Sequence, residues 1–137
     1  LCLMGSDMND TITPVEAGLG FTIGKRRREA ADFPGAAVIV DQMTNGTSKL
    51  RVAFEVDSKL PAREHMEILN DKGEVIGEIT SGTISPVLDK SIAMGYVQTP
   101  FSKTGTPVVI KRNAKTMMNA TVTATPFVPT RYYRKQK

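Results

Sequence analysis

The chain is poor in the residues from which reactive sites are most often assembled. Its 137 residues include one cysteine and one histidine. A lone Cys2 excludes an internal disulfide, and one thiol with one imidazole (His65) cannot form a thiolate or imidazole metal cage. Cys2 sits beside Leu1 and Leu3 with no cation nearby to activate it, so it reads as a core thiol. His65, in "REHMEIL", alternates with Glu67 and Leu69 and reads as a polar strand-face residue, since no serine, histidine and acid fall in a catalytic order. Tryptophan is absent and aromatics make up 6% of the chain. The expected strands hold only Phe54 and Tyr96 as ring platforms, too few for a single-strand nucleic-acid binder. Long apolar runs are missing too: "AAVIV" (36–40) is far below the ~18 residues that span a bilayer. The glycines of "EAGLGFTIGKRRR" fit no nucleotide loop. Leu19 and Arg26 occupy positions where a Walker loop needs Gly and Ser or Thr, and Ile23 stands where a dinucleotide fingerprint needs Gly.

What is present is ordinary globular material, 40% apolar and 23% charged, at a length that closes one core. The net charge of +4 is concentrated in two places, Lys25–Arg28 and the terminal "RYYRKQK" (131–137). Two clusters suit local docking of an anion better than a surface built for phosphate backbones. No signal-peptide pattern opens the chain. It starts without Met, on "LCLMG", which reads as a short strand, so a fragment of a longer protein is expected.

Organisation changes along the chain. "SDMNDTITP" is polar and turn-rich, and "VEAGLGFTIGK" suits a loop or short strands. "DFPGAAVIVDQM" (32–43) predicts a short helix with Asp32 as N-cap and Pro34 in the first turn, although "AVIV" also fits a strand. From residue 48 the period becomes two: Leu50, Val52, Phe54 and Val56 share one face, and Arg51, Ala53 and Glu55 the other. Further strands are expected at 65–69, 74–80, 90–97, 106–112 and 116–127, with turns at Asn70–Gly73, Gly82–Pro86, Pro100–Gly105 and Asn113-Ala114. The expected class is mainly β: a small antiparallel barrel or sandwich. Arg51 is left with two readings, a cleft arginine that grips a carboxylate through two parallel bonds, or an edge residue paired with Glu55.

Three ordered segments carry a resemblance. "TPVEAGLGFTIGKRRREAADFPG" (13–35), "EVIGEITSGTISPVLDKSIAMGYV" (74–97) and "PFVPTRYY" (126–133) make the chain similar to the C-terminal third of the glycine cleavage system T-protein family, which are aminomethyltransferases. The resemblance implies three domains around a cavity that holds tetrahydrofolate. It implies transfer of the one-carbon unit from the aminomethyl-lipoyl arm of H-protein to tetrahydrofolate, giving 5,10-methylene-tetrahydrofolate and ammonia, with no metal. Residues 1–36 would end the middle, mixed α/β folate-binding domain, and 37–137 would be a six-stranded antiparallel, jelly-roll-like barrel. The catalytic aspartate is expected upstream, so this chain alone would be inactive. Phe21, Arg51 and Tyr132 match positions that line or close the folate cavity. Phe21 stands where the family commonly has Trp, which keeps a ring and loses a donor. Met4 stands where tyrosine is frequent, which puts a phenol contact there in doubt. Lys25, Arg26, Arg27 and Arg28 would dock the acidic H-protein, against the plainer reading of a solvated face. The expected location is the mitochondrial matrix, with a bacterial cytoplasm as alternative, and neither nucleic acid nor membrane is an expected partner. Other folate-dependent demethylases, the barrels of dimethylglycine- or sarcosine-oxidising enzymes, and a stand-alone basic β-barrel binding module are the alternatives.

Overall fold

The computed structural model describes residues 2–132. Six strands follow one another from Lys49 onward: β1 (Lys49–Val56), β2 (Glu67–Leu69), β3 (Val75–Ser85), β4 (Lys90–Gln98), β5 (Pro107–Lys111) and β6 (Met117–Thr123). Every pairing is antiparallel, and the order β1-β4-β3-β2-β5-β6 closes into a barrel. β2, β3 and β4 form consecutive hairpins while β1 lies beside β4, a Greek-key arrangement of the kind jelly rolls also use. The expected six-stranded barrel is therefore what this sequence makes.

Period-two alternation places the core. Phe54 and Val56 of β1 point inward and meet Ile68, Ile79, Val97, Ile110 and Val122, all buried. Side chains of this size stabilise the fold by about 1.5–3 kcal/mol each on full burial. Ala53, on the opposite face, is buried as well, because the N-terminal segment covers that side of the barrel.

That segment holds a short 3-10 turn (Gly20–Thr22) and two helices, α1 (Lys25–Ala30) and α2 (Ala36–Asn45). Ala36 is buried and Ile39, Val40 and Met43 are half-buried. This i, i+3, i+4, i+7 stripe decides for helix over strand in "AVIV". Gly46, at φ +86°, ends the helix, and its N–H donates to the Gln42 carbonyl at 2.9 Å.

Several local expectations are corrected. "LCLMG" forms no strand over its described residues; a single bridge joins Met4 to Met8. Asp32 does not cap α2, whose N-cap is Gly35; its carboxylate pairs instead with Arg27 at 2.7 Å. His65 precedes β2 at φ +66° instead of lying in a strand, and Cys2 is half-buried rather than a core residue. β6 ends at Thr123, short of 127. Gly82 is no turn residue: β3 runs through it to Ser85. A Cβ there would lie 2.4 Å from the Ala62 carbonyl oxygen, so the glycine marks a close backbone approach.

Candidate functional site

The seam between the N-terminal segment and the outer face of β1, β3 and β4 concentrates the polar organisation of the molecule. Its first anchor is Asp7, which is 1% exposed. One carboxylate oxygen accepts from the Leu3 N–H at 2.9 Å, and the other from the hydroxyls of Thr80 and, at 2.8 Å, Ser81. The Asp7 carbonyl accepts from the Tyr96 hydroxyl at 2.7 Å. Burial pushes that phenol from 10.0 up to about 12, with Arg51 pulling it down and Asp7 raising it further. Tyr96 is therefore a neutral donor at any physiological pH. The Lys49 ammonium lies 5.6 Å from the centre of its ring, within cation–π reach.

The second anchor is Glu16. "TPVE" makes a reciprocal box: the Thr13 N–H donates to the Glu16 carboxylate at 3.0 Å, and the Glu16 N–H to the Thr13 hydroxyl at 3.2 Å. The Thr13 hydroxyl also reaches Gln42 of α2 at 2.6 Å. β6 pairs with β1 only from Ala53 to Val56, so earlier in β1 one edge lacks a strand partner. The Glu16 carbonyl takes the Arg51 N–H there at 2.8 Å.

Arg51 projects from that stretch, half-buried. Its Nε donates to the Ala17 carbonyl at 2.9 Å, and Nη1 lies 3.1 Å from the Met94 sulfur. Of the two readings of Arg51, the edge pair with Glu55 does not form, since Glu55 binds Lys90 at 2.8 Å. That hydrogen bond raises the Lys90 pKa. Phe21 rides on the 3-10 turn three residues beyond Gly18, which itself lies against the Arg51 guanidinium. Phe21 is 77% exposed and Tyr132 79% exposed. Both rings are open to solvent, and among the described residues no hydrogen bond or cation–π contact joins Tyr132 to Phe21 or Arg51.

The four cations of α1 are exposed and divide into two kinds. Arg27 pairs with Asp32, and Arg28 donates to the carbonyls of Ile23 at 2.6 Å and Gly20 at 3.0 Å. Lys25 has only a long contact to Glu29, 3.8 Å, and Arg26 has no ion pair among the described residues. The rest of the second basic cluster, beyond Tyr132, lies outside the described residues.

A cleft of about 600 Å³ opens where the N-terminal turn meets β3 and β4, lined among others by Asp7, Asn9, Lys49, His65, Glu78 and Tyr96. Neither Phe21, Arg51 nor Tyr132 lines it. His65 and Glu78 form an exposed pair at 2.8 Å, and no cluster of three metal-ligating side chains occurs among the described residues.

Asp7, Glu16 and Tyr96 were not singled out by sequence reasoning. The box had a readable signal, Thr-x-x-Glu at 13–16. Asp7 had none, since only tertiary contact separates it from Asp10 in the same polar turn.

The structure defines a small antiparallel Greek-key β-barrel with an N-terminal segment tied to its outer face through Asp7, Glu16 and Ala17. The family model for the glycine cleavage T-protein C-terminal barrel domain matches residues 49–129, and the chain belongs to that family. The mitochondrial aminomethyltransferase of Mesembryanthemum crystallinum is 52% identical over 134 residues, 98% of this chain and 32% of that protein. The mitochondrial aminomethyltransferase of Canis lupus familiaris is 48% identical over 133 residues, again 32% of its length. The crystal structure of glycine cleavage system aminomethyltransferase T from Bartonella henselae superposes with a TM-score of 0.91 at 33% identity, over 98% of this chain and 37% of that one. The chain thus spans about a third of the length of the curated relatives it matches.

Proposed function

We propose that this chain is the C-terminal part of a tetrahydrofolate-dependent aminomethyltransferase of the glycine cleavage system. The whole protein would move the one-carbon unit from the aminomethyl-lipoyl arm of H-protein to tetrahydrofolate and release ammonia. The observation that carries the reading is the near-complete match of this chain to proteins named for that activity, at 52% identity, with the same barrel in the solved relative. In this reading residues 1–36 close the middle domain and 37–137 form the barrel domain. The relatives' names favour mitochondria, where the matrix is the proposed location; the solved bacterial relative keeps a bacterial cytoplasm as the alternative.

The residues present fit one wall of a folate site. Tetrahydrofolate supplies two nucleophilic nitrogens that accept the carbon, a flat ring system and a carboxylate tail. Phe21 and Tyr132 supply exposed ring faces for the flat part, and the Arg51 guanidinium supplies donors for an anionic or carbonyl group. Because Arg51 Nε is held by the Ala17 carbonyl, the guanidinium is oriented before any ligand arrives. In this reading the acid–base work of the transfer falls to the upstream part, which leaves this chain inactive alone. Lys25 and Arg26, the cations of α1 least committed to local partners, dock the acidic H-protein, while Arg27 and Arg28 are engaged within the chain.

The test is tetrahydrofolate-dependent ammonia release from aminomethylated H-protein by the full-length parent and its Arg51→Ala variant. Activity that falls at least tenfold in the variant, about 1.4 kcal/mol, supports the reading. A well-folded parent without activity would move the assignment to the folate-dependent demethylases.

A further inference from the structure

The basic run contains a residue whose geometry is spent on something other than a partner. Arg28 sends Nε to the Ile23 carbonyl at 2.6 Å and Nη2 to the Gly20 carbonyl at 3.0 Å. These two carbonyls bracket Phe21 and Thr22. The 3-10 turn between them buries none of its own side chains, so no apolar anchor holds it. Its remaining ties are short-range: the Thr22 N–H and hydroxyl both donate to the Leu19 carbonyl, at 2.9 and 2.7 Å, and the Ile23 N–H donates to Gly20 at 3.2 Å. Isolated 3-10 turns of this length are weak, and a charge-assisted, two-pronged grip is the strongest bond this one has. On the other side, a Cβ at Gly20 would fall 3.9 Å from the Met43 methyl of α2, an ordinary contact distance that leaves the turn unconfined there.

The same device is used twice along one strap. Arg51 grips the carbonyl of Ala17, and Arg28 grips those of Gly20 and Ile23. Phe21, a large ring 77% exposed, lies between the two grips. An exposed ring on a turn so fixed is prepared for contact rather than for packing.

We infer that Arg28 is a positioning residue: it clamps the 3-10 turn so that the Phe21 ring is held in place relative to Arg51 before the folate binds. This rests on the proposed folate site. Ordering one side chain ahead of binding is worth about three- to tenfold in affinity. A docking role for Arg28 makes different predictions, because docking needs a charge and clamping needs a fork.

The experiment uses the full-length parent with Arg28→Ala, Arg28→Lys, Phe21→Ala and the Arg28→Ala/Phe21→Ala double variant. Arg28→Ala should speed amide exchange at Thr22 and Ile23 by at least about tenfold while leaving the β1–β4 ladder protected. It should raise KM for tetrahydrofolate about three- to tenfold, with KM for H-protein unchanged. Arg28→Lys should restore little of either, and the double variant should be no worse than Phe21→Ala. Reversing Lys25 and Arg26 to Glu should do the opposite, raising KM for H-protein and weakening its salt dependence. The inference is overturned if exchange at Thr22 and Ile23 does not change, or if Arg28→Ala raises only KM for H-protein and Lys restores it. Should Phe21→Ala leave KM for tetrahydrofolate unchanged while exchange still accelerates, Arg28 is a clamp without a ligand. That result removes both the positioning role and Phe21 from the folate wall, and leaves the activity itself to the Arg51 test.

Discussion

Replacing Asp7 with alanine asks whether one carboxylate fastens the N-terminal turn to the barrel. Three donors meet it: the Leu3 N–H and the hydroxyls of Thr80 and Ser81. Hydrogen bonds to a charged group contribute about 1.5–3 kcal/mol each. Thr80 loses least, because its hydroxyl also reaches the Met94 carbonyl at 3.2 Å. The other two bonds set a gross loss of about 3–6 kcal/mol, offset in part because a carboxylate no longer has to be desolvated. A net loss of about 2–4 kcal/mol follows for Asp7→Ala, the range of a broken buried network. Asp7→Asn should cost about 1 kcal/mol, since its amide oxygen can face Leu3 while the hydroxyls turn to accept from its nitrogen. Urea unfolding of the chain, followed by circular dichroism, gives the totals. Amide exchange separates seam from barrel: Asp7 and Met8, whose N–H groups donate to the Leu3 carbonyl, should lose protection well before Val97. A loss under about 0.5 kcal/mol with unchanged exchange at Met8 would refute the reasoning and leave Glu16 and Arg51 as the fastening.

The phenol of Tyr96 gives the alkaline limb a signature. Unfolded tyrosine ionises near 10.0 while the native phenol keeps its proton to about 12, so the unfolded state binds fewer protons in that window and stability falls as pH rises through it. At 1.36 kcal/mol per unit the loss is roughly 2–3 kcal/mol, and Tyr96→Phe, compared by urea unfolding across the same window, should abolish that share of the decline. Ser91 makes the opposite kind of prediction. It is 2% exposed and among the described residues its hydroxyl has no hydrogen-bond partner, so Ser91→Ala should stabilise the barrel by about 1 kcal/mol; a destabilised variant would mean that the hydroxyl has a partner in solution.

The sequence made the barrel legible wherever one strand face is buried and the other wet. The β5–β6 hairpin follows its alternation closely, whereas β1 departs from it at Ala53, buried on the face opposite Phe54. Ser81-Gly82 has the look of a turn and hides the second half of β3, whereas the glycine is required by the backbone of Ala62, a contact remote in sequence. The same limit applies to the seam. Arg51 stands out as a polar residue on a core strand with two open readings; Glu55, four residues along the strand, is taken by Lys90, and the Ala17 carbonyl is brought in by a strap that no periodicity describes. The cluster at 25–28 was visible as charge and not as geometry. Nothing in four consecutive cations says that the fourth turns back on the preceding turn.

The edge of β1 left uncovered by β6 has a practical consequence for where this protein can be divided. Residue 49 looks like a natural cut, since the strands begin there and the matched family segment begins there too. A chain started at that point would lose the Glu16 carbonyl from the Arg51 N–H and bare a short, unpaired β edge flanked by the newly exposed Ala53 surface. Unprotected edges of this kind recruit strands from other molecules. Protection of that edge therefore depends on a piece of sequence that contributes no strand to the barrel, and a unit that keeps the Thr13–Glu16 cover begins upstream of Thr13.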